Sequence, residues 1–378
     1  MRSLDVARDT CDRFHPGLLK SLAELPLLER EAADSPVLEI FRDHGGAGLL
    51  VPPAYGGAGA DALDAVRVTR ALGSSSPSLA AAATMHNFTA AMLFALADRV
   101  VPPTPSQHAL LAKIAPQGMF LASGWAEGRT QQDILNPAVS AAAVKDGFVL
   151  NGAKKPCSLS RSMDLLTASV TLPSDDGAPQ LAVLLIPADS EGLSVHPFWS
   201  SQILAGAQSD EVRLRDVHVP AELVIRGTPD DPDRLDDLQT ATFVWFEMLI
   251  TSAYVGVAST LTELVMNQGR GSVTDRAALG IQLESAVALT EGTARAVRDG
   301  MVGEEAVAAT LTARFAVQKV LAGIADVAVE LLGGMAFINS SEIAYLTAAL
   351  HPLAFHPPGR TSSSPHLVDY FTGGSLQI

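Results

Sequence analysis

The sequence predicts a mainly helical protein interrupted by one β-rich stretch, in the order helix, β, helix. Three observations carry this. Residues 1 to about 115 repeat Ala, Leu and charged residues at helical spacing, broken at Gly45-Gly46 and Pro52-Pro53. From about 116 to 228 the pattern changes to short apolar runs bounded by Gly, Pro, Asp and Ser. Beyond a turn-rich linker, Gly227-Thr-Pro-Asp-Asp-Pro-Asp233, helical periodicity returns to about residue 350. The expected domains are therefore 1–115, helical; 116–228, β; and 229–378, a helical bundle with an extended tail.

The elements follow in order. Ser140 to Lys145 and Phe148 to Asn151 flank the turn Asp146-Gly147 and predict a hairpin. Leu165 to Leu172 and Leu181 to Ile186 are further strands, and Val212 to Val219 alternates apolar and polar until Asp216 breaks it. The stretch Ala241 to Val265 is the longest apolar one; Glu247, Glu263 and its Thr and Ser residues make it a buried helix rather than a membrane span. Val317, Val320, Leu321, Ile324, Val327, Ala328 and Leu331 form a stripe at steps of three and four that stops at Gly333-Gly334. The tail from His351 to Ile378 is rich in Pro, Gly and Ser and predicts an ordered loop or extension.

Composition narrows the function. The 378 residues are 48% hydrophobic and only 18% charged, which supports a large core and an oligomer burying further surface. The net charge of −15 and the lack of a dense Lys/Arg run argue against a nucleic-acid partner. Cys11 and Cys157 stand far apart, so neither a disulfide framework nor a cysteine-rich metal site is implied, which suits the cytoplasm. Met1 to His15 lacks an apolar signal core.

Four motifs occur in order. They are Val51-Pro-Pro-Ala-Tyr-Gly-Gly-Ala-Gly59; Lys145-Asp-Gly-Phe-Val-Leu-Asn-Gly-Ala-Lys154; Gly206-Ala-Gln-Ser-Asp210 with Asp216-Val-His-Val-Pro220; and Gly333-Gly-Met-Ala-Phe337. Together they resemble the acyl-CoA dehydrogenase family over essentially the whole chain. The resemblance implies an N-terminal helical domain, a middle β-barrel or sandwich domain and a C-terminal four-helix bundle, assembled as a homodimer or homotetramer. It also implies FAD, lying between the β domain and the C-terminal helices and partly across a subunit interface.

The resemblance brings two segments to the flavin: Ser123-Gly-Trp-Ala-Glu127 and Lys155-Pro-Cys-Ser158. Ser158 is the candidate hydroxyl for flavin N5 or O4, or else caps a turn. Ala126 replaces a flavin-bonding Thr and Pro156 a packing aromatic. Trp125 offers a replacement aromatic surface, or is core. Cys157 is a small buried hydrophobe or a redox group. Arg276-Ala-Ala-Leu-Gly280 is a degenerate form of the motif whose Arg holds the FAD diphosphate, with Arg270 as rival, against the reading of a solvated helix arginine. Gly333 and Gly334 would let backbone approach the adenine side, or simply cap a helix.

The base departs most. In most of the family a Glu follows the second Gly-Gly motif by about twenty residues. Here Phe355-His-Pro-Pro-Gly-Arg360 stands there without a carboxylate. A minority places the Glu on an earlier helix, and here Glu247 lies within one residue of that position, lone among Phe243, Val244, Trp245, Phe246, Met248, Leu249 and Ile250. Burial there would raise its pKa, as a general base needs. Otherwise it faces solvent or pairs with an Arg. His356, or His351, is the second candidate.

Three functions follow. The first is flavin-dependent α,β-dehydrogenation of an acyl thioester carried on CoA or an acyl carrier protein, in a specialised biosynthetic pathway, with electrons passing to an electron-transfer flavoprotein or oxygen. The second is a flavin monooxygenase or oxidase on the same fold, which needs no such Glu. The third is a flavin-free binding or non-redox member.

Overall fold

Near-contact between two helix backbones organises the helical part of the protein. In a computed structural model describing residues 1–99, 103–128, 135, 137–173, 179–227 and 235–376, helix α5 (Ala62–Ser75) crosses the long helix Asp237–Gln268. A Cβ added at Gly73 would meet the carbonyl oxygen of Ala253 at 2.0 Å, and one at Gly256 that of Arg70 at 2.2 Å. Only glycine permits that approach, which gives a physical reason for Gly73 and Gly256.

Before α5 come α1 (Arg2–Phe14), α2 (Leu18–Ala23), α3 (Leu27–Arg30) and α4 (Val37–Asp43). After it come α6 (Pro77–Arg99) and α7 (Pro105–Leu111). The second helical part holds α8 (Asp237–Gln268), α9 (Val273–Arg298), α10 (Gly303–Leu332), α11 (Gly334–Asn339), α12 (Ser341–Ala348) and α13 (Arg360–Phe371). A capping box, with Asp236 accepting the amide of Gln239 at 2.7 Å and Gln239 accepting that of Asp236, starts α8. Gly269 in the left-handed region ends it. Within α6 and α8, Pro77–Leu96 and Asp237–Gln268 are each long and apolar enough to cross a membrane, yet 89% and 83% of their apolar windows are buried inside the protein.

Between the helical parts lie two four-stranded sheets. One has the order β1 (Leu121–Gly124), β4 (Leu165–Pro173), β5 (Pro179–Pro187), β8 (Val224–Arg226). The other runs β2 (Ser140–Val144), β3 (Gly147–Cys157), β7 (Asp210–Pro220), β6 (Leu193–His196). Only β1 with β4 is parallel among these pairs. The hairpin is as expected except that Gly147 already pairs with Val144, so Lys145 and Asp146 make the turn. Asp216 does break the alternation of β7: its φ is 54°, and it exchanges two hydrogen bonds with Asn151 beside a register shift in β3.

One expectation is corrected. The tail is not a loop: a short 3-10 turn covers His351–Phe355 and α13 follows. Pro365 argues against a helix because it lacks an N–H and crowds the carbonyl four residues back. Burial of Ser363 and Leu367, with α13 lying on α10, overrides that local preference. Most of the Gly227–Asp233 linker lies outside the described residues.

Several contacts join the helical and β parts, and three of them centre on buried or half-buried charged or titratable side chains. Arg42 donates to Gly118 O, Ser162 O and Asp164 (2.8 Å). Buried Glu31 accepts from Ser76, Ser78 and Tyr345, whose hydroxyl in turn accepts the Leu204 amide. Fully buried His86 donates from Nε2 to Ala47 O (3.0 Å) and accepts the β1 amide of Leu121 at Nδ1 (3.1 Å). Burial pushes His86 down to about 4. Its folded value lies below the ordinary value of about 6.5, so its contribution is complete above that pH and is lost as pH falls towards 4. Comparing chemical denaturation of wild type and His86→Phe should therefore show the variant less stable at neutral pH but losing less stability between about pH 6.5 and 4, with His86 supplying at most about 1.4 kcal/mol per pH unit. Equal losses in both proteins would contradict this.

Candidate active site

Helix α8 presents Phe246, Ile250 and Tyr254 as one row, four residues apart. The His356 ring lies across its ends, 5.8 Å from Phe246 and 5.7 Å from Tyr254 between ring centroids. The Tyr254 hydroxyl and His356 Nε2 are 2.9 Å apart. Phe88 of α6 packs edge-on against the far side of Phe246, at 5.3 Å. Burial and the Arg314 cation push His356 down to about 3, so its ring is neutral at physiological pH.

Glu247, one residue after Phe246, is fully buried and meets Arg314 of α10, also fully buried. Arg314 Nη1 donates to both carboxylate oxygens, at 2.9 and 2.8 Å, and to Pro358 O at 3.2 Å. Its Nη2 donates to the carbonyls of Leu353 (3.2 Å) and His356. One guanidinium thus ties α8 and α10 to the loop that carries His356. Burial pushes the Glu247 carboxyl up to about 7, and the guanidinium opposes it. Of the three readings open for Glu247, this geometry is pairing with an arginine. A carboxylate with both oxygens on a guanidinium, in the ground state, is poorly placed to take a proton from a substrate carbon.

The second cluster is where β1 and β3 end. The Lys155 amide donates to Ala126 O (2.8 Å), and the Cys157 thiol lies 3.6 Å from Ser123 O. The two segments expected beside a flavin are therefore neighbours. Behind them Lys154 and Glu127, with side chains 0% and 4% exposed, form an ion pair at 2.8 Å. Lys154 also donates to Ser169 of β4 (3.1 Å), and Glu127 accepts the amides of Ala138 and Val139. Burial pushes Lys154 down to about 8 against the pull of Glu127. Burial also pushes Glu127 up, but Lys154 and the two amides outweigh it and hold the carboxylate below its ordinary range. Cys157 is fully buried and pushed up to about 12 by burial, so it stays a thiol. Ser158 is half-buried and shares a 2.9 Å hydrogen bond with Ser209. Trp125 is 6% exposed, and its Nε1 has no acceptor among the described residues.

The remaining candidates sit at one end of the helical bundle. Arg276 donates to Gly269 O (2.8 Å) and Gly271 O (2.7 Å), at the turn joining α8 to α9. That turn touches Leu331, two residues before Gly333, which ends α10 with φ 86°. Gly334 is exposed. None of these three makes a hydrogen bond to either cluster above among the described residues. Arg314 and Tyr254 were not singled out from the sequence. The available signal was the lone arginine in the apolar run Thr312-Ala-Arg-Phe-Ala-Val317.

Removing one partner of a buried pair leaves an uncompensated charge and typically costs about 3–5 kcal/mol. Arg314→Met should be destabilised on that scale, and Glu247→Leu with Arg314→Met should recover part of the loss. In the single variant Glu247 lacks its cation, so its folded pKa rises further above the unfolded value. Its deficit should therefore shrink as pH falls from about 8 towards 5. Urea denaturation checks both, and a double variant no more stable than Arg314→Met would contradict the pairing account.

Comparison with known proteins bears on this geometry. Residues 6–99 match the acyl-CoA dehydrogenase N-terminal domain. The chain is 79% identical over 378 residues, all of both chains, to isobutylamine N-hydroxylase of Streptomyces viridifaciens. Its fold matches that of KijD3 in complex with FMN and dTDP-3-amino-2,3,6-trideoxy-4-keto-3-methyl-D-glucose (TM-score 0.84, 17% identity, covering 100% of this chain and 95% of that one). It likewise matches nitrososynthase from Micromonospora carbonacea var. africana (TM-score 0.79, 19% identity, 98% and 95% covered). The fold, the motifs and the full-length identity together establish that this chain belongs to the acyl-CoA dehydrogenase family of flavin-dependent oxidoreductases.

Proposed function

We propose that the protein is a flavin-dependent monooxygenase that N-hydroxylates a small primary aliphatic amine, with FAD as cofactor. The observation carrying this reading is the engagement of Glu247 by Arg314, beside a loop from His351 to Pro358 that contains no carboxylate. Thioester dehydrogenation requires a base for the α proton at the substrate, and neither position supplies a disengaged one. Hydroxylation at nitrogen removes no proton from carbon, because the lone pair of the free amine forms the new bond. The full-length relationship to isobutylamine N-hydroxylase supports the substrate class.

The reaction balances as amine, dioxygen and reduced flavin giving hydroxylamine, oxidised flavin and water. Bound flavin supplies the two electrons that activate dioxygen. One oxygen atom goes to nitrogen and the other leaves in water. Trp125, Ala126 and Ser158 are the residues proposed to hold the ring, and the stranded Trp125 N–H fits a ligand bearing acceptors. Phe246, Ile250, Tyr254 and His356 are the residues proposed to face a short alkyl chain. Neutral His356 adds no positive charge against the amine.

The test supplies photoreduced FAD, air and isobutylamine to the purified protein, and in parallel offers isobutyryl-CoA with an electron-accepting dye. The expected outcome is N-isobutylhydroxylamine in the first reaction and no enoyl thioester in the second. Dye reduction with the thioester, and no hydroxylamine, would overturn the proposal.

A further inference from the structure

A hydrogen-bond donor is stranded where β1 and β3 end. The indole nitrogen of Trp125 is buried and has no acceptor among the described residues. In the same two chain segments the polar side chains are engaged with other groups. Lys154 reaches Glu127 and Ser169, Glu127 accepts the amides of Ala138 and Val139, and Ser158 pairs with Ser209. The Lys155 amide donates to the carbonyl of Ala126, the residue after Trp125.

The engaged groups have a structural consequence. The Glu127–Lys154 pair joins four pieces of chain: the continuation of β1, β3, β4 through Ser169, and the segment entering β2. Glu127 is two residues from Trp125, so the ion pair restrains the backbone that aims the indole. β1 ends at Gly124, so Trp125 lies between the end of the strand and the paired Glu127. A buried N–H is nearly always bonded in native proteins, so one left over calls for an acceptor from outside the chain, a ligand or a water. Ala126 brings no side-chain donor, which leaves Trp125 as the side chain of this pair of residues able to donate.

We propose that Trp125 binds the flavin through its indole N–H, donating to a carbonyl oxygen of the ring, and that Glu127 and Lys154 are positioning residues for it. The proposal rests on the flavin reading above. A donor at a ring carbonyl strengthens as the ring gains electron density on reduction, so it raises the electron affinity of the bound flavin.

Trp125→Phe keeps an aromatic ring and removes only the N–H and the second ring of the indole. FAD titration should show its Kd raised about tenfold, a change of about 1.4 kcal/mol. The visible band of bound FAD should shift and its midpoint potential fall. The melting temperature of the flavin-free protein should hold or rise, because no N–H is stranded in phenylalanine. Lys154→Met should weaken FAD in the same direction, with the double variant losing less than the sum of the two. An unchanged Kd and spectrum in Trp125→Phe, with a lower flavin-free melting temperature, would make Trp125 a core residue and overturn the proposal. A normal Kd in folded Lys154→Met would overturn the positioning role. Failure of the wild-type protein to bind FAD or FMN would instead remove the flavin reading itself, and this proposal with it.

Discussion

One buried guanidinium constrains this protein more than any other group described. Arg314 is fully enclosed, and a cation out of water demands compensation. Glu247 supplies the charge, and the carbonyls of Leu353, His356 and Pro358 supply acceptors. Meeting that demand fixes the path of the loop from His351 to Pro358 against α8 and α10. The same contact occupies the carboxylate that a thioester dehydrogenase would need free. The field of Arg314 also helps keep His356 neutral. The path of the loop, the engagement of Glu247 and the neutrality of His356 thus share a cause. A buried pair of this kind is weak evidence for high stability, because desolvation offsets most of the attraction. Its value here lies in selecting one arrangement of two helices and a loop.

The β region solves a parallel problem with a different pair. Lys154 and Glu127 are buried together and gather four backbone segments into one corner. The corner spends its donors and acceptors internally, except at Trp125. The groups proposed for the cofactor adjoin this pair in sequence, and those proposed for the substrate adjoin Glu247 and Arg314. The proposed site is therefore held by charges that do not themselves react. That suits a reaction in which reduced flavin and dioxygen supply the driving chemistry and the protein contributes position and dryness.

Much of the fold was legible in the chain. A long apolar stretch revealed α8, periodicity revealed α10, and turn residues revealed the hairpin and the strands Leu165–Pro173 and Asp210–Pro220. The tail was not, because Pro365 and the Ser-rich run speak against a helix while burial of Leu367 on α10 acts only in three dimensions. At the site, the neighbourhood of Trp125–Ala126 and Cys157–Ser158 was visible only through family motifs. The fate of Glu247 was open, since an apolar helix raises a carboxyl's pKa whether or not a cation meets it. The deciding partner, Arg314, is 67 positions away, and no local pattern reveals that pairing. Arg276, Gly333 and Gly334 matched motifs, and their contacts describe a bundle end and a helix cap.

In the proposed reaction oxygen goes to an amine nitrogen, and no hydride leaves a thioester. The most direct measurement is a single turnover of protein loaded with stoichiometric reduced FAD, mixed with isobutylamine and dioxygen labelled with the heavy oxygen isotope, and read by mass spectrometry. The account predicts N-isobutylhydroxylamine carrying one labelled oxygen, with flavin reoxidised in step. Flavin reoxidation that leaves the amine untouched, while the oxidised protein dehydrogenates an acyl thioester, would contradict it.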